Sequence, residues 1–74
     1  MNKENQQVVA RAVGLAGDIL METLPPSPRH PAGRNGYAHV WLGIKHRFGD
    51  YKLLPDDRLQ EVLDYVLWAV QNPS

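Results

Sequence analysis

The sequence predicts a small all-α domain of three helices, with a long proline-rich loop between the first helix and the second. Apolar residues recur at three- and four-residue steps in three stretches, which is the period of an amphipathic helix. Prolines and glycines fall between these stretches, and only residues 50–54 suggest extended chain. At 74 residues without cysteine, the domain has a small core and no disulfides, so good helix packing or a partner must supply stability.

The first helix is expected at about residues 2–24. Its apolar stripe is Val9, Ala12, Val13, Ala16, Ile19, Leu20, Thr23 and Leu24. Gly14 and Gly17 interrupt this helix, and each costs about 1 kcal/mol relative to alanine. Because neighbouring residues are also small, the glycines indicate either a bend or a tight contact with another helix, within the chain or across a dimer. For a homodimer, the predicted interface is Val13, Gly14, Ala16 and Gly17.

Residues 25–35 are predicted to form the proline-rich loop, because its four prolines lack a backbone donor and favour extended predecessors. Their spacing also fits a polyproline ligand, although a stiff connector explains the same residues. The second helix is expected at about residues 36–48, with Asn35 as its cap and Gly49 just beyond its last turn. Its apolar face is Tyr37, Val40, Trp41, Ile44 and Phe48.

A short extended connector is expected at residues 49–54, followed by the third helix at about residues 55–71. Pro55 suits the first helical position, and Asp56 and Asp57 suit the first turn. The apolar stripe of this helix is Leu59, Val62, Leu63, Val66, Leu67 and Val70, widened by Tyr65, Trp68 and Ala69. Trp41 and Trp68 both follow the apolar period, which predicts that both belong to the core.

Charge is unevenly distributed along a chain whose formal net charge is zero. Residues 25–54 carry five arginines and lysines against Asp50 alone, a net charge of +4. Such a segment can bind phosphates, mainly by contacts that position a nucleic acid without reading its sequence. The candidate nucleic-acid-binding residues are Arg29, Arg34, Lys45, His46, Arg47 and Lys52. The alternative is that the acidic third helix neutralises this segment on folding.

Signals for catalysis, for a metal and for a membrane are absent from the sequence. It contains no nucleophile elbow, no phosphate-binding glycine loop and no cysteine nucleophile. His39 and His46 are seven residues apart, whereas a helical metal site favours a spacing near four. We therefore expect no enzymatic activity, no cofactor and no metal. Without a secretory pattern or a long apolar run, a cytoplasmic location is expected.

Part of the sequence, residues 37–70, resembles the C-terminal module of phage antirepressor-like regulators, including those with KilA-N or BRO-type N-terminal domains. The residues that fit the pattern are Tyr37, Trp41, Ile44, Lys45, Arg47, Phe48, Gly49, Tyr51, Lys52, Leu54 and Pro55. Between Gly49 and Tyr51 the chain has only Asp50, where the pattern has a hydrophobic residue and a serine or threonine. The resemblance implies a phage or mobile-element setting and a role in binding nucleic acid or a regulator.

Three functions are compatible with these features. The leading expectation is a non-enzymatic phage or mobile-element regulatory protein, a homodimer that binds nucleic acid through the central basic segment. The first alternative is a small inhibitor or antirepressor-type protein that binds a host or phage protein through exposed helix surface or the proline-rich loop. The second alternative is a structural assembly subunit.

Overall fold

The computed structural model describes residues 1–29 and 33–74 and confirms the all-α class. Its three helices are α1 (Lys3–Thr23), α2 (Gly36–Phe48) and α3 (Leu59–Gln71), and two 3-10 turns, Tyr51–Leu53 and Asp56–Arg58, lie between α2 and α3. No strand is found in these two described ranges. The predicted proline-rich loop includes residues 30–32, which lie outside the described residues.

The start of α1 is hydrogen-bonded to Asp56, the first residue of the 3-10 turn that precedes α3. Asn2 caps α1 by accepting a hydrogen bond from the Asn5 backbone N–H at 2.8 Å, as favoured for an asparagine at this position. The Asp56 carboxylate in turn accepts from the Asn2 backbone N–H at 2.7 Å and from the Asn5 side chain at 3.1 Å. These bonds lower the pKa of Asp56, the Asn2 N–H making the largest contribution, because they favour the ionised carboxylate.

The boundaries of α2 coincide with the predicted ones. The Asn35 side chain accepts from the backbone N–H groups of Tyr37 and Ala38 at 3.0 and 3.1 Å. At the other end Gly49 has a φ of 74°, a conformation in which a residue with a Cβ would be strained.

The connector after α2 is a 3-10 turn, so the prediction of an extended segment at residues 49–54 is wrong. Asp50 causes the difference, because its side chain accepts from the Lys52 N–H at 3.0 Å and its carbonyl accepts from the Leu53 N–H at 3.0 Å. An aspartate in this position favours a turn over extended chain.

The core lies between the three helices and is formed by aliphatic side chains together with Tyr51. Its fully buried members are Val9, Val13, Leu20, Val40, Ile44 and Val62. The C-terminal half of α1 packs on the start of α2, and the amino group of Met1 donates to the carbonyl of Lys52 just beyond the end of α2, so the two helices are antiparallel. Since α1 also begins beside Asp56, the three helices run up, down and up.

The small residues of α1 serve packing within the chain, which corrects the predicted dimer interface. Val13, Ala16 and Gly17 are buried in the described structure, so they offer no outer surface to a second chain. Gly17 lies against the ring of Tyr37. Gly14 differs, because a Cβ built there would meet no atom within 4 Å.

Candidate functional site

The predicted basic residues lie at both ends of α2 and do not form one surface. Arg34 precedes the helix, whereas Lys45, His46 and Arg47 occupy its last turn. At 1.5 Å per residue, these positions are about 18 Å apart along the helix. Arg29 lies farther back in the loop before α2, and its side chain is exposed. A phosphate backbone would therefore have to span the length of α2 to meet all of them.

Arg34 is half-buried and bonded to groups of its own chain. One guanidinium nitrogen donates to the carbonyl of Pro25 at 3.4 Å, and another lies 3.2 Å from Nδ1 of His39. Partial burial, and secondarily the positive charge of Arg34, lowers the pKa of His39. This arrangement ties the proline-rich loop to α2, which is a structural role for Arg34.

Lys45 and Arg47 face different sides of α2. Two residues along a helix turn the side chain by about 200°. Lys45 accordingly lines a shallow cavity with Trp41 and Tyr51, whose rings are 5.5 Å apart. Lys52 lies on the other side of Tyr51, beside Lys3. Three lysines, Lys3, Lys45 and Lys52, therefore surround Tyr51, and we refer to them as the lysine cluster. Arg47 is not part of it, because it lies toward α3.

Arg47 belongs to an aromatic groove between α2 and α3. Its guanidinium carbon lies 5.9 Å from the ring centre of Phe48 and 5.8 Å from that of Tyr65, within cation–π range. Tyr65 meets Phe48 edge-on at 6.1 Å and stacks on Trp68 at 5.9 Å. The groove has a volume of about 370 Å³ and is lined by Arg47, Phe48, Glu61, Asp64, Tyr65 and Trp68. We refer to this set as the α2–α3 groove.

The charges at the α2–α3 groove balance one another. Arg58 holds Glu61 through two contacts, Nε to Oε1 at 2.8 Å and Nη2 to Oε2 at 3.0 Å. Within residues 1–29 and 33–74, Arg58 and Glu61 form the single salt bridge. Asp64 accepts a hydrogen bond from Gln60 at 2.9 Å, and its negative charge is offset by that of Arg47 on the opposite wall. The groove is therefore aromatic in the middle and mixed in charge at its rim.

The exposed tryptophan of this groove was not predicted from the sequence. Trp68 is 54% exposed, so its assignment to the core is wrong, whereas Trp41 is half-buried and packs against the core. Tyr65, Trp68 and Ala69 widen the apolar stripe of α3 on one side. Two neighbouring helices cover Ala69 and leave Trp68 at the edge. The width of that stripe was the signal that α3 carries more apolar surface than the core takes up.

Among the described residues, no three histidine, aspartate or glutamate side chains come together as metal ligands. Within the same part of the chain, no helix combines the length and the apolar character needed to cross a membrane. Comparison with protein-family models, with curated proteins and with solved structures found no match to this chain.

Proposed function

We propose that this chain is a non-enzymatic regulatory module that binds a partner protein through the α2–α3 groove. The partner inserts an apolar or aromatic side chain against Tyr65 and Trp68. Its polar groups then meet the rim formed by Arg47 and Asp64. The placement in a phage or mobile element rests on the resemblance of residues 37–70 to antirepressor modules.

The observation that carries this proposal is the exposed, stacked side chain of Trp68. It is 54% exposed and stacks on the ring of Tyr65, with the ring centres 5.9 Å apart. Burying the remaining exposed surface of a tryptophan is worth about 2–3 kcal/mol. Tryptophan, tyrosine and arginine are also the residues that contribute most binding energy at protein interfaces. The groove brings one of each together.

The charge of the groove favours a protein over a nucleic acid. Phosphates approaching Trp68 would meet the carboxylates of Glu61 and Asp64 on the same wall. Nucleic-acid surfaces need an excess of positive side chains, because phosphate neutralisation supplies most of the affinity. A rim with both signs suits the polar edge of a protein interface instead.

The test is a selection of peptides from a random display library against the wild-type protein, followed by affinity measurements by fluorescence anisotropy. Trp68→Ala is expected to raise the Kd of the selected peptides by roughly 30-fold, which corresponds to about 2 kcal/mol for a central aromatic anchor. The peptides are expected to share an apolar or aromatic residue.

Leu42→Ala is the matched control, because Leu42 is 55% exposed but lies on α2 outside the groove. It is expected to leave the peptide Kd unchanged. Peptides that bind Trp68→Ala as tightly as the wild type, or a selection that yields no binder, would overturn the proposal. Far-ultraviolet circular dichroism of both variants checks that they remain folded.

A second candidate is phosphate binding by the lysine cluster around Tyr51, namely Lys3, Lys45 and Lys52. The three side chains are exposed, and no ion pair of theirs occurs in the described ranges. Replacing Lys3, Lys45 and Lys52 together by alanine is then expected to abolish a gel shift of generic duplex DNA at low salt. A wild type that gives no shift, or a triple variant that shifts equally, excludes this candidate.

A further inference from the structure

An apolar stripe runs along α1 beside the core and apart from the α2–α3 groove, and its Ala12 packs against the core. Its members are Val8, Ala12, Leu15 and Ile19. They follow one another at steps of four, three and four residues, the heptad spacing that lines up side chains along the seam of a helix pair. Leu15 is 68% exposed and Ile19 47%, so the described chain leaves much of this seam uncovered.

The charges beside the seam are complementary to a second copy of the same helix. Arg11 and Asp18 lie seven residues apart on one flank of the seam, and both are exposed. When two copies of α1 pair in opposite directions, Arg11 of each lies near Asp18 of the other. In a parallel pair the twofold axis runs along the helices and puts the two copies of this flank on opposite sides of the seam, so Arg11 and Asp18 of one copy would not meet those of the other. The flank thus favours an antiparallel pair.

We infer that the chain forms a twofold-symmetric dimer through this seam, with the two α1 helices antiparallel. Leu15 lies near the twofold axis, and Val8 of one copy packs toward Ile19 of the other. The Arg11–Asp18 pairs fix the direction of pairing, as flanking charges do in coiled coils. Asp18 also accepts the Tyr37 hydroxyl through Oδ1, which leaves its second oxygen for Arg11 of the second copy.

The dimensions of α1 suit such a pair. Its 21 residues make a helix about 31 Å long, comparable with the 37 Å long axis of the molecule. A stable interface takes about 800 Å² from each partner, roughly a sixth of the 5139 Å² surface of this chain. Covering the seam would add apolar burial to a domain whose own core is small.

The test uses two charge variants, Arg11→Asp and Asp18→Arg, studied by sedimentation equilibrium. Each variant alone places like charges across the seam, so each is expected to have a dimer Kd at least tenfold above that of the wild type. An equimolar mixture restores both attractive pairs and is expected to dimerise as well as the wild type. Circular dichroism verifies folding of each variant before mixing.

The control is the pair Arg29→Asp and Asp57→Arg, which makes the same changes in net charge at exposed positions off the seam. Each is expected to dimerise like the wild type, without any gain on mixing. Leu15→Glu is expected to give a folded monomer. A monomeric wild type, a dimer that persists in Leu15→Glu, or charge variants that gain nothing on mixing would each overturn the inference.

Discussion

Tyr37 covers the backbone of Gly17, so that a Cβ at position 17 would lie 2.6 Å from Cε1 of the ring. Gly36 makes the reciprocal contact, because a Cβ there would lie 2.6 Å from the carbonyl oxygen of Gly17. The two glycines let α1 and α2 approach at backbone level. Glycine at position 17 lowers the intrinsic stability of α1, but it allows the close contact between α1 and α2 that a larger residue would prevent.

The two glycines of α1 should respond in opposite ways to alanine. We expect Gly14→Ala to raise the free energy of unfolding by about 0.5–1 kcal/mol, because the new methyl group meets no atom and alanine favours the helix. Gly17→Ala should lower it by about 1–3 kcal/mol, because the methyl group displaces the ring of Tyr37. Urea unfolding followed by circular dichroism measures both.

Measuring Gly17→Ala in a Tyr37→Ala background tests whether the Tyr37 ring causes the loss of stability. With the ring removed, Gly17→Ala should no longer destabilise through Tyr37, so its effect should shrink by at least half. An equal loss of stability with and without the ring would show that the contact is not the reason for glycine at position 17.

The Tyr37 hydroxyl donates a hydrogen bond to Asp18, and this bond raises the pKa of Tyr37 above its ordinary value of 10.0. The folded state therefore holds the phenol proton more tightly than the unfolded chain does. The resulting stability is present below pH 10 and is lost as the pH rises above 10 toward the folded-state pKa. We expect the wild type to lose more stability than Tyr37→Phe between pH 9 and pH 11. Parallel curves for the two proteins would contradict this linkage.

The bounds of α1 and α2 were predictable to within one residue because the signals that fix them are local, whereas α3 begins at Leu59 and not at the predicted residue 55, because residues 56–58 form a 3-10 turn. Asn35 and Gly49 bound α2, and each acts through its own backbone or the next few residues. The 3-10 turn at residues 51–53 was missed because its cause, a side-chain bond from Asp50, competes with extended chain by a small free-energy difference.

The α2–α3 groove was not predictable in the same way. Arg47 and Tyr65 are separated by the connector, and their contact depends on how α2 crosses α3. Periodicity shows that α3 has a wide apolar side but not which edge its neighbours cover, so Trp68 was assigned to the core. The basic segment was read from the sequence as one unit, whereas α2 carries its charges to opposite ends.

His39 should report the contact between the loop and α2. Partial burial and then the charge of Arg34 lower its pKa below the ordinary 6.5. A histidine kept neutral in this way stabilises the fold above pH 6.5, and this contribution is lost as the pH falls further, since the unfolded chain binds the proton more readily. In Arg34→Ala, the His39 pKa should rise but stay below 6.5, because burial remains. Proton NMR titration measures it, and an unchanged pKa in Arg34→Ala would exclude the contact.

A comparison of Arg47→Ala with Lys45→Ala measures how much the cation–π contacts of the α2–α3 groove contribute to stability. Both are exposed cations in the last turn of α2, but Arg47 lies over the rings of Phe48 and Tyr65. Arg47→Ala should lower the free energy of unfolding by about 0.5–1 kcal/mol more than Lys45→Ala, because only the first removes a cation–π contact.

The double-mutant cycle of Arg47→Ala with Tyr65→Leu separates that contact from the helix dipole, which favours both cations equally. A coupling energy of about 0.5 kcal/mol or more is expected from a cation–π pair at a partly exposed site. It should persist in high salt, because a ring has no net charge to screen. A coupling energy of zero, or equal losses for Arg47→Ala and Lys45→Ala, would mean that Arg47 is not held by the aromatic wall. The rim of the α2–α3 groove would then lack a fixed cation, and the proposed partner contact would rest on Tyr65 and Trp68 alone.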